Sequence, residues 1–225
     1  MLFMKFNRLE TPSENRVRPY GGMAQRAFTL VEILVVIAII GVLAAVGTQG
    51  AKIAARKRDR ARVEAHLERL KLVIDDYKLR HGTYPPDNPA TPDRQPLYYE
   101  LRSVYKVPSG LAVGTPSSQE IVTRTALQAA FGPFYDVYNQ IDPSVPKRRD
   151  NVSKDHLPTL RTDEYFQDAS GIRYLRVPVP DYSSGPFLWK YNCSGPVNNP
   201  TTYDIWAVYP ESGDVNRMIT IGNWK

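Results

Sequence analysis

The feature that most constrains this chain is a run of twenty residues, 28–47, whose only charged side chain is Glu32. The run reads FTLVEILVVIAIIGVLAAVG. As an α-helix rising about 1.5 Å per residue it would be roughly 30 Å long, the hydrocarbon thickness of a bilayer. A carboxylate one turn inside such a helix is costly in lipid and usually has a functional partner. The sequence therefore predicts a transmembrane helix in which Glu32 has a specific role.

The net charge of +6 is concentrated around this run. Residues 1–27 contain five basic and two acidic residues, residues 48–80 contain ten and five, and residues 81–225 are nearly balanced. Basic residues ahead of an apolar run keep the preceding segment in the cytoplasm. We therefore expect a single-pass membrane protein with a cytoplasmic leader and an outward-facing domain. A basic DNA-binding face is not indicated, and we expect no nucleic-acid partner.

The leader and the apolar run stand in an unusual order. A secretory signal peptide has its apolar core within roughly the first 15–30 residues and its cleavage site after that core. Here the polar leader comes first, Ala27 ends it, and the apolar run follows at once. One interpretation is an uncleaved signal anchor that carries a binding or sensor domain.

Ala27 followed by FTLVEILVVIAIIGVLAA resembles the N-terminal signal of type IV pilins and type II secretion pseudopilins. The resemblance implies that a prepilin peptidase cuts between Ala27 and Phe28 and methylates the new amine of Phe28. The family usually has glycine where this chain has Ala27. Glu32 then becomes the fifth residue of the mature chain, where the family keeps a glutamate. In a filament of stacked helices Glu32 can pair with the amine of Phe28 on a neighbouring subunit, which lowers the cost of burying both charges. The alternative is an interfacial acid whose side chain reaches the lipid headgroups.

Helical periodicity continues past the apolar run. Five apolar residues spaced four and three apart form a stripe on one helix face: Val63, Leu67, Leu70, Ile74 and Tyr77. Gly82 and the prolines at 85 and 86 are expected to end the helix, which would extend from about Phe28 to His81. Gly47 and Gly50 are its weak point, and we expect either local loosening on assembly or a straight helix.

Four further segments resemble the G-type major pseudopilin of type II secretion. YKLRHGTYP, from Tyr77, is similar to its Y-x-x-x-x-G-x-Y-P signature, and YDIWAVYPESGD, from Tyr203, is similar to its Y-D-I-x-S-x-G-x-D-G. DASGIRYLR, from Asp168, and IGNW, from Ile221, also resemble G-type segments. The resemblance implies a pilin-like α+β fold. In that fold a long N-terminal helix, half transmembrane and half amphipathic, packs on a small C-terminal antiparallel β-sheet.

Local patterns predict the remaining elements. Alternating and aromatic segments predict strands at 172–177, 187–191, 203–209 and 217–221. Helices are predicted at 97–105 and at 118–131, the second capped by Ser117 or Ser118, and residues 139–162 are predicted to be an exposed loop. We accordingly divide the chain into a leader (1–27), a transmembrane or filament-core helix (28–50), an amphipathic helix (51–82), a variable loop and short-helix region (83–167) and a sheet region (168–225).

The sequence contains few candidate metal-binding or catalytic residues. The resemblance implies a calcium site at Glu211, Asp214 and Asn216, whose oxygens suit this ion. The loop is shorter than in the family and has Thr220 where the family has aspartate, so an ordinary acidic turn is the alternative. No further cofactor and no catalytic residue is predicted, because known enzyme motifs are missing from the sequence and Cys193 has no evident activating base.

These features predict a structural filament subunit of a type II secretion pseudopilus. The resemblance implies that it resides in the bacterial inner membrane with its C-terminal domain in the periplasm, and enters a periplasmic filament on assembly. Its expected partners are other pseudopilin subunits, a prepilin peptidase and an inner-membrane assembly platform. A type IV pilin, or a minor pilin or pseudopilin, serving adhesion, motility or DNA uptake is the first alternative. The uncleaved signal-anchored domain is the second.

Overall fold

The structure is a computed structural model, and it describes residues 29–142, 154–180, 185–211 and 214–224. Within these ranges the side chains of residues 45–49, 52 and 215 are not described. The chain divides into two units, Met1–Gly47 and Thr48–Lys225, and each is treated by itself below.

Helix α1 extends from Leu30 to His81 and comprises 52 residues. Its backbone remains helical through Gly47 and Gly50, as expected for the isolated chain. It ends where Gly82 adopts a φ of 78° and its N–H donates to the carbonyl of Lys78 at 2.8 Å. Glycine reaches this left-handed conformation at little cost, so Gly82 closes the helix as predicted.

The predicted apolar stripe of α1 forms one side of the core of the second unit. Its five residues, from Val63 to Tyr77, are at most 4% exposed. They belong to one hydrophobic cluster that also includes Trp189, Tyr191 and Ile205 from the C-terminal part of the chain. Full burial of an aliphatic side chain contributes about 1.5–3 kcal/mol, so this stripe is a principal source of stability.

The middle of the chain contains a mixed sheet that the sequence did not predict. Its elements are α2 (Leu97–Leu101), β1 (Val104–Val107), β2 (Gly110–Val113), β3 (Ile121–Val122), α3 (Arg124–Phe131) and β4 (Gln140–Ile141). The strand order is β3-β2-β1-β4, with β1 parallel to β4 and the other pairs antiparallel. The region 83–167 is therefore more than loops and short helices.

The helix predicted at 97–105 is wrong beyond Leu101. Val104 pairs with Val113, and Tyr105 pairs with Ala112, in a tight hairpin that closes at Gly110. The β-branched residues of this segment favour extended backbone. Gly110 has a φ of 144°, which an L side chain rarely adopts. The VYKV-PS-GLAV pattern was the available signal, since two short apolar strands flank a proline-serine turn.

The helix predicted at 118–131 begins later than expected. It starts at Arg124, and its N-cap is Thr123, whose hydroxyl accepts from the N–H of Ala126 at 3.1 Å. Ser118 instead accepts from the N–H of Glu120 at 3.1 Å and closes a turn before β3. Both serine and threonine cap turns and helices, so the local sequence did not decide between them.

The exposed loop predicted at 139–162 is wrong in part: residues 158, 159, 161 and 162 are exposed and lie outside helices and strands, but other residues are not. Residues 140–141 form β4, and Leu157 is fully buried. The backbone N–H groups of His156 and Leu157 both donate to the carbonyl of Leu101, at 2.9 and 3.1 Å. Leu157 anchors this segment in the core. The sequence did not predict this role, because Leu157 is a single apolar residue among polar neighbours in the sequence.

The C-terminal region is built of antiparallel strands, as predicted. β5 (Tyr165–Gln167) pairs with β6 (Arg173–Leu175), and a three-stranded sheet has the order β7 (Lys190–Asn192), β8 (Asp204–Glu211), β9 (Asp214–Gly222). The four predicted strands correspond to β6 to β9 with shifted bounds. The fold is α+β, with an N-terminal helix and C-terminal antiparallel sheets.

Candidate functional site

The first turn of α1 is closed by a reciprocal contact between Thr29 and Glu32. The N–H and the hydroxyl of Thr29 donate to Oε2 of Glu32 at 2.8 and 2.9 Å. In return the N–H of Glu32 donates to the Thr29 hydroxyl at 3.2 Å. This is a capping box, in which a threonine and a glutamate three residues later satisfy otherwise unpaired helix donors. The T-x-x-E spacing was present in the sequence as the signal for it.

The capping box gives Glu32 partners within its own chain. A carboxylate at the N-terminal end of a helix also interacts favourably with the helix dipole. The predicted processing residues Ala27 and Phe28 immediately precede this box, and both lie outside the described residues. Cleavage and methylation there stay predictions.

The helix that follows presents apolar side chains to its surroundings. Eleven branched aliphatic residues in the first unit are between 48% and 80% exposed: Leu30, Val31, Ile33, Leu34, Val35, Val36, Ile37, Ile39, Ile40, Val42 and Leu43. Such a surface is suited to contact with lipid or with other apolar helices. A membrane-spanning helix is not found among the residues that the structure describes.

The YKLRHGTYP segment forms a corner at the end of α1. Pro85 accepts a hydrogen bond from the hydroxyl of Tyr191 at 3.1 Å through its carbonyl. The ring of Tyr84 meets that of Tyr203 edge-on, with centroids 5.0 Å apart. The motif thus fixes the exit from α1 against the C-terminal sheet of the same unit.

Asp87 and Cys193 complete this corner. Oδ2 of Asp87 accepts from the N–H groups of Cys193 and Ser194 at 2.7 and 2.8 Å, and from the Ser194 hydroxyl at 2.9 Å. The Cys193 thiol donates to the carbonyl of Pro85 at 3.2 Å. Burial, together with the charge of Asp87, raises the pKa of this thiol to about 11. Cys193 is therefore a poor nucleophile at neutral pH.

A buried carboxylate, missed from the sequence, joins distant parts of the second unit. Glu100 is fully buried and accepts from the hydroxyls of Tyr77 and Tyr135 at 3.1 and 2.8 Å. The backbone N–H groups of Tyr138 and Asn139 also donate to it, each at 3.2 Å or less. Burial raises the pKa of Glu100, and these donors oppose the rise. Glu100 thereby ties α1, α2 and the segment before β4 together.

A second carboxylate holds the connection between β7 and β8. Oδ2 of Asp204 accepts from the N–H groups of Val197 and Asn198 at 2.7 and 2.8 Å. Its Oδ1 accepts from the N–H and the side-chain amide of Asn199, both at 2.9 Å. Burial raises the pKa of Asp204, but these backbone amides lower it more, so the pKa lies below the ordinary value of 3.8. We name this arrangement, Asp204 with residues 197–199, the Asp204 clasp.

His66 and His156 make contacts that serve the fold. Trp189 Nε1 donates to Nδ1 of His66 at 3.2 Å in the core, and burial lowers the pKa of His66 to about 4. Nδ1 of His156 lies 2.6 Å from Oδ2 of Asp76, which also accepts from Lys154 Nζ at 2.6 Å. These contacts orient the side chains within the fold.

The candidate calcium ligands lie at the β8–β9 turn. Glu211 faces Asp214 across the hairpin, and its Oε2 forms an ion pair with Arg217 at 3.0 Å. Asp214 accepts from the N–H of Asn216 at 3.0 Å. The Arg217 guanidinium would have to leave Glu211 before a cation could use that oxygen. Throughout the described ranges no three His, Cys, Asp or Glu residues are grouped as for a metal ion, and the calcium site stays a prediction.

Comparison with known proteins adds to this geometry. Residues 22–48 match the family model described as the prokaryotic N-terminal methylation motif. The type II secretion system core protein G of Klebsiella pneumoniae is 44% identical over 61 residues, which are 27% of this chain and 44% of that protein. The core protein G of Pectobacterium carotovorum subsp. carotovorum is 41% identical over 64 residues, covering 28% and 41%. The type IV major pilin protein PilE1 of Neisseria gonorrhoeae is 36% identical over 66 residues, covering 29% and 31%.

The matches cover less than half the length of these relatives. No solved structure matches the chain.

Proposed function

We infer that this chain is a structural filament subunit of a type II secretion pseudopilus. It carries the N-terminal methylation motif of type IV pilins and type II secretion pseudopilins, and it is most like the G-type members. The observation that carries this inference is the Thr29–Glu32 capping box at the start of an apolar, exposed helix within that motif. The chain would act by assembly rather than by catalysis.

Processing would precede assembly. The leader, residues 1–27, would stay in the cytoplasm while residues 28–47 enter the inner membrane and the second unit faces the periplasm. A prepilin peptidase would cut between Ala27 and Phe28 and methylate Phe28. The new amine of Phe28 then lies directly before the capping box.

The transfer from membrane to filament follows from the cost of Glu32. Apolar side chains gain little by leaving lipid for another apolar helix, because both surroundings are equally dry. A carboxylate gains more, because in lipid it is desolvated and in a filament the amine of Phe28 from a neighbouring subunit can pair with it. Glu32 would thus favour assembly and fix the axial step between subunits, while an inner-membrane platform drives the movement.

A type IV pilin is the second candidate, and the similarity to the gonococcal pilin PilE1 favours it. Both candidates share the processing and the assembly segment. They differ in location, because a pseudopilus stays in the periplasm and a pilus extends from the cell surface. Electron microscopy of cells with and without this chain separates them. Surface filaments lost with the gene would indicate a pilus, whereas loss of protein secretion without loss of surface filaments would indicate a pseudopilus.

Mass spectrometry of the purified mature chain tests the processing step. We expect a mass that lacks residues 1–27 and contains one added methyl group on Phe28. An intact Met1 in a host with a prepilin peptidase would overturn the filament function and favour the uncleaved signal-anchored binding or sensor domain.

Substitutions at Glu32 separate helix capping from subunit pairing. Glutamine is accepted at the third position of a capping box, so Glu32→Gln keeps the cap and removes the charge. Glu32→Ala removes both. If charge pairing drives assembly, both variants are inserted and cleaved but form few filaments. Normal filaments from Glu32→Gln would refute the pairing role, and Glu68→Gln, at an exposed glutamate of the same helix, is the matched control.

A further inference from the structure

The second unit contains a cavity of about 260 Å³ between α1 and the β8–β9 hairpin. Two basic residues of α1, Arg56 and Lys57, line it together with Tyr209 of β8. Ile53 and Ile219 add apolar wall on the two sides. The cavity is not used by any step of the proposed assembly.

Two residues that line this cavity each have a buried donor atom with no partner in the described part of the chain. Tyr209 is 2% exposed, and its hydroxyl makes no hydrogen bond there. The buried Nε of Arg56 has none either. An unpaired buried polar group costs about 1–3 kcal/mol, and groups of this kind usually indicate a missing ligand or water. A charged donor and a hydroxyl on one cavity wall are suited to an oxyanion.

The acidic residues on the wall are already balanced. Asp59 forms an ion pair with Arg58 at 3.2 Å, and Glu211 forms one with Arg217 at 3.0 Å. Neither arginine lines the cavity. The negative charges next to the cavity are therefore offset from outside it, which reduces their repulsion of an anion.

The remaining cations leave a positive surplus. Arg60 also lines the cavity, but its Nε forms an ion pair with Glu64 at 2.8 Å. No ion pair joins Arg56 or Lys57 to an acidic residue that the structure describes. These two side chains are the cations available to a ligand.

We propose that this cavity binds a phosphoryl group through Arg56, Lys57 and the hydroxyl of Tyr209. Arginine and lysine are the usual phosphate-binding cations, and the tyrosine adds a neutral donor. The cavity is larger than a carboxylate requires, and Ile53 and Ile219 lie beside the cations. This combination suits a phosphodiester with attached glycerol, as in an anionic phospholipid headgroup, and it also accepts free phosphate.

The lipid source of the phosphoryl group rests on the proposed membrane insertion. Arg56 follows Gly47, the last residue of the apolar run, by nine positions in the sequence. Lysine and arginine side chains close to either end of a membrane segment reach toward the lipid headgroups. The binding site itself depends only on the geometry of the second unit.

The test uses the full chain in micelles of an uncharged detergent, with thermal unfolding followed by tryptophan fluorescence. The probes are inorganic phosphate, dihexanoyl phosphatidylglycerol, dihexanoyl phosphatidylcholine and acetate. We expect saturable stabilisation by phosphate and by phosphatidylglycerol. Arg56→Gln should weaken it roughly tenfold, as expected for a charge-assisted hydrogen bond. Tyr209→Phe removes one hydroxyl and should weaken it by a smaller factor, and Lys71→Gln on the same helix is the matched control.

Tighter binding of phosphatidylglycerol assigns the site to lipid, and tighter binding of inorganic phosphate assigns it to the free anion; either result supports a phosphoryl site. Equal stabilisation by acetate, or unchanged binding in both Arg56→Gln and Tyr209→Phe, would overturn the proposal. Binding in micelles requires neither cleavage nor assembly. An intact Met1 would therefore overturn the filament function and leave this site standing.

Discussion

The Asp204 clasp allows a quantitative prediction for Asp204→Asn. The substitution keeps the shape of the side chain and replaces one carboxylate oxygen with an NH₂ group. If the remaining oxygen keeps the N–H groups of Val197 and Asn198, the new amide faces the N–H of Asn199. One partly buried backbone donor and the side-chain amide of Asn199 then lose their acceptor, at about 1–3 kcal/mol, and the two retained bonds lose their charge assistance.

We therefore expect Asp204→Asn to lower the free energy of unfolding by about 2–4 kcal/mol at pH 7, which for a domain of this size lowers Tm by roughly 5–12 °C. Thermal unfolding of the full chain in detergent, followed by tryptophan fluorescence, measures this. Asp214→Asn is the matched control, because Asp214 accepts from the single backbone N–H of Asn216. The control should change Tm much less.

The pH dependence gives a second check on the same variant. The folded pKa of Asp204 lies below its ordinary value of 3.8, so the ionised carboxylate stabilises the fold above that pH. This stabilisation is lost as the pH falls from about 3.8 through the folded pKa. The difference in Tm between wild type and Asp204→Asn should thus narrow below pH 4. A variant within 1 °C of wild type at pH 7 would refute the assigned role of the clasp.

Two other predictions follow from the same unit. Burial and the charge of Asp87 raise the pKa of Cys193 to about 11, from 9.0 for a free thiol. Alkylation of the native chain by iodoacetamide at pH 8 should therefore be roughly a hundred times slower than that of a short unfolded cysteine peptide. Equal alkylation rates, measured by mass spectrometry, would contradict the burial of the thiol. The ion pair of Arg217 with Glu211 favours the ordinary acidic turn over the calcium site, so millimolar calcium should leave Tm unchanged relative to chelator. A rise in Tm that is abolished by Asp214→Asn would instead establish the calcium site.

The part of the fold with a regular sequence period was predictable. The stripe from Val63 to Tyr77 followed from its four-and-three spacing, and each of its members is buried in the core. The closure of α1 at Gly82 followed from the conformational freedom of glycine. The strands after residue 171 followed from their alternation and aromatic content. In each case the local pattern and the tertiary structure require the same residue types.

The buried carboxylates were not predictable in this way. Glu100 lies in the segment LYYEL, which reads as an ordinary amphipathic turn, and its donors Tyr77 and Tyr135 are 23 and 35 residues away. Such a contact depends on long-range packing that no local period encodes. Strands β3 and β4 were missed for another reason, since two residues are too few to establish an alternation.

The role of Glu32 was predicted from the resemblance of residues 28–47 to the pilin and pseudopilin signal. Its capping partner Thr29 has the T-x-x-E spacing of a capping box, but this spacing is informative only where a helix begins. The charge pairing proposed for Glu32 involves a second copy of the chain. The sequence and the structure of one copy show where the Glu32 carboxylate lies, and the experiments with Glu32→Gln test whether it pairs with a neighbouring subunit.

The exposed aliphatic residues of the first unit and the core of the second are separate sets. The members of the buried hydrophobic cluster all lie at or beyond Val63, while the exposed set ends at Leu43 in the first unit. Mutations in one set therefore need no compensation in the other. We therefore expect that substitutions among the exposed aliphatic residues of the first unit leave the stability of the second unit unchanged. A hybrid gene that joins the first unit of one such protein to the second unit of another would test this independence.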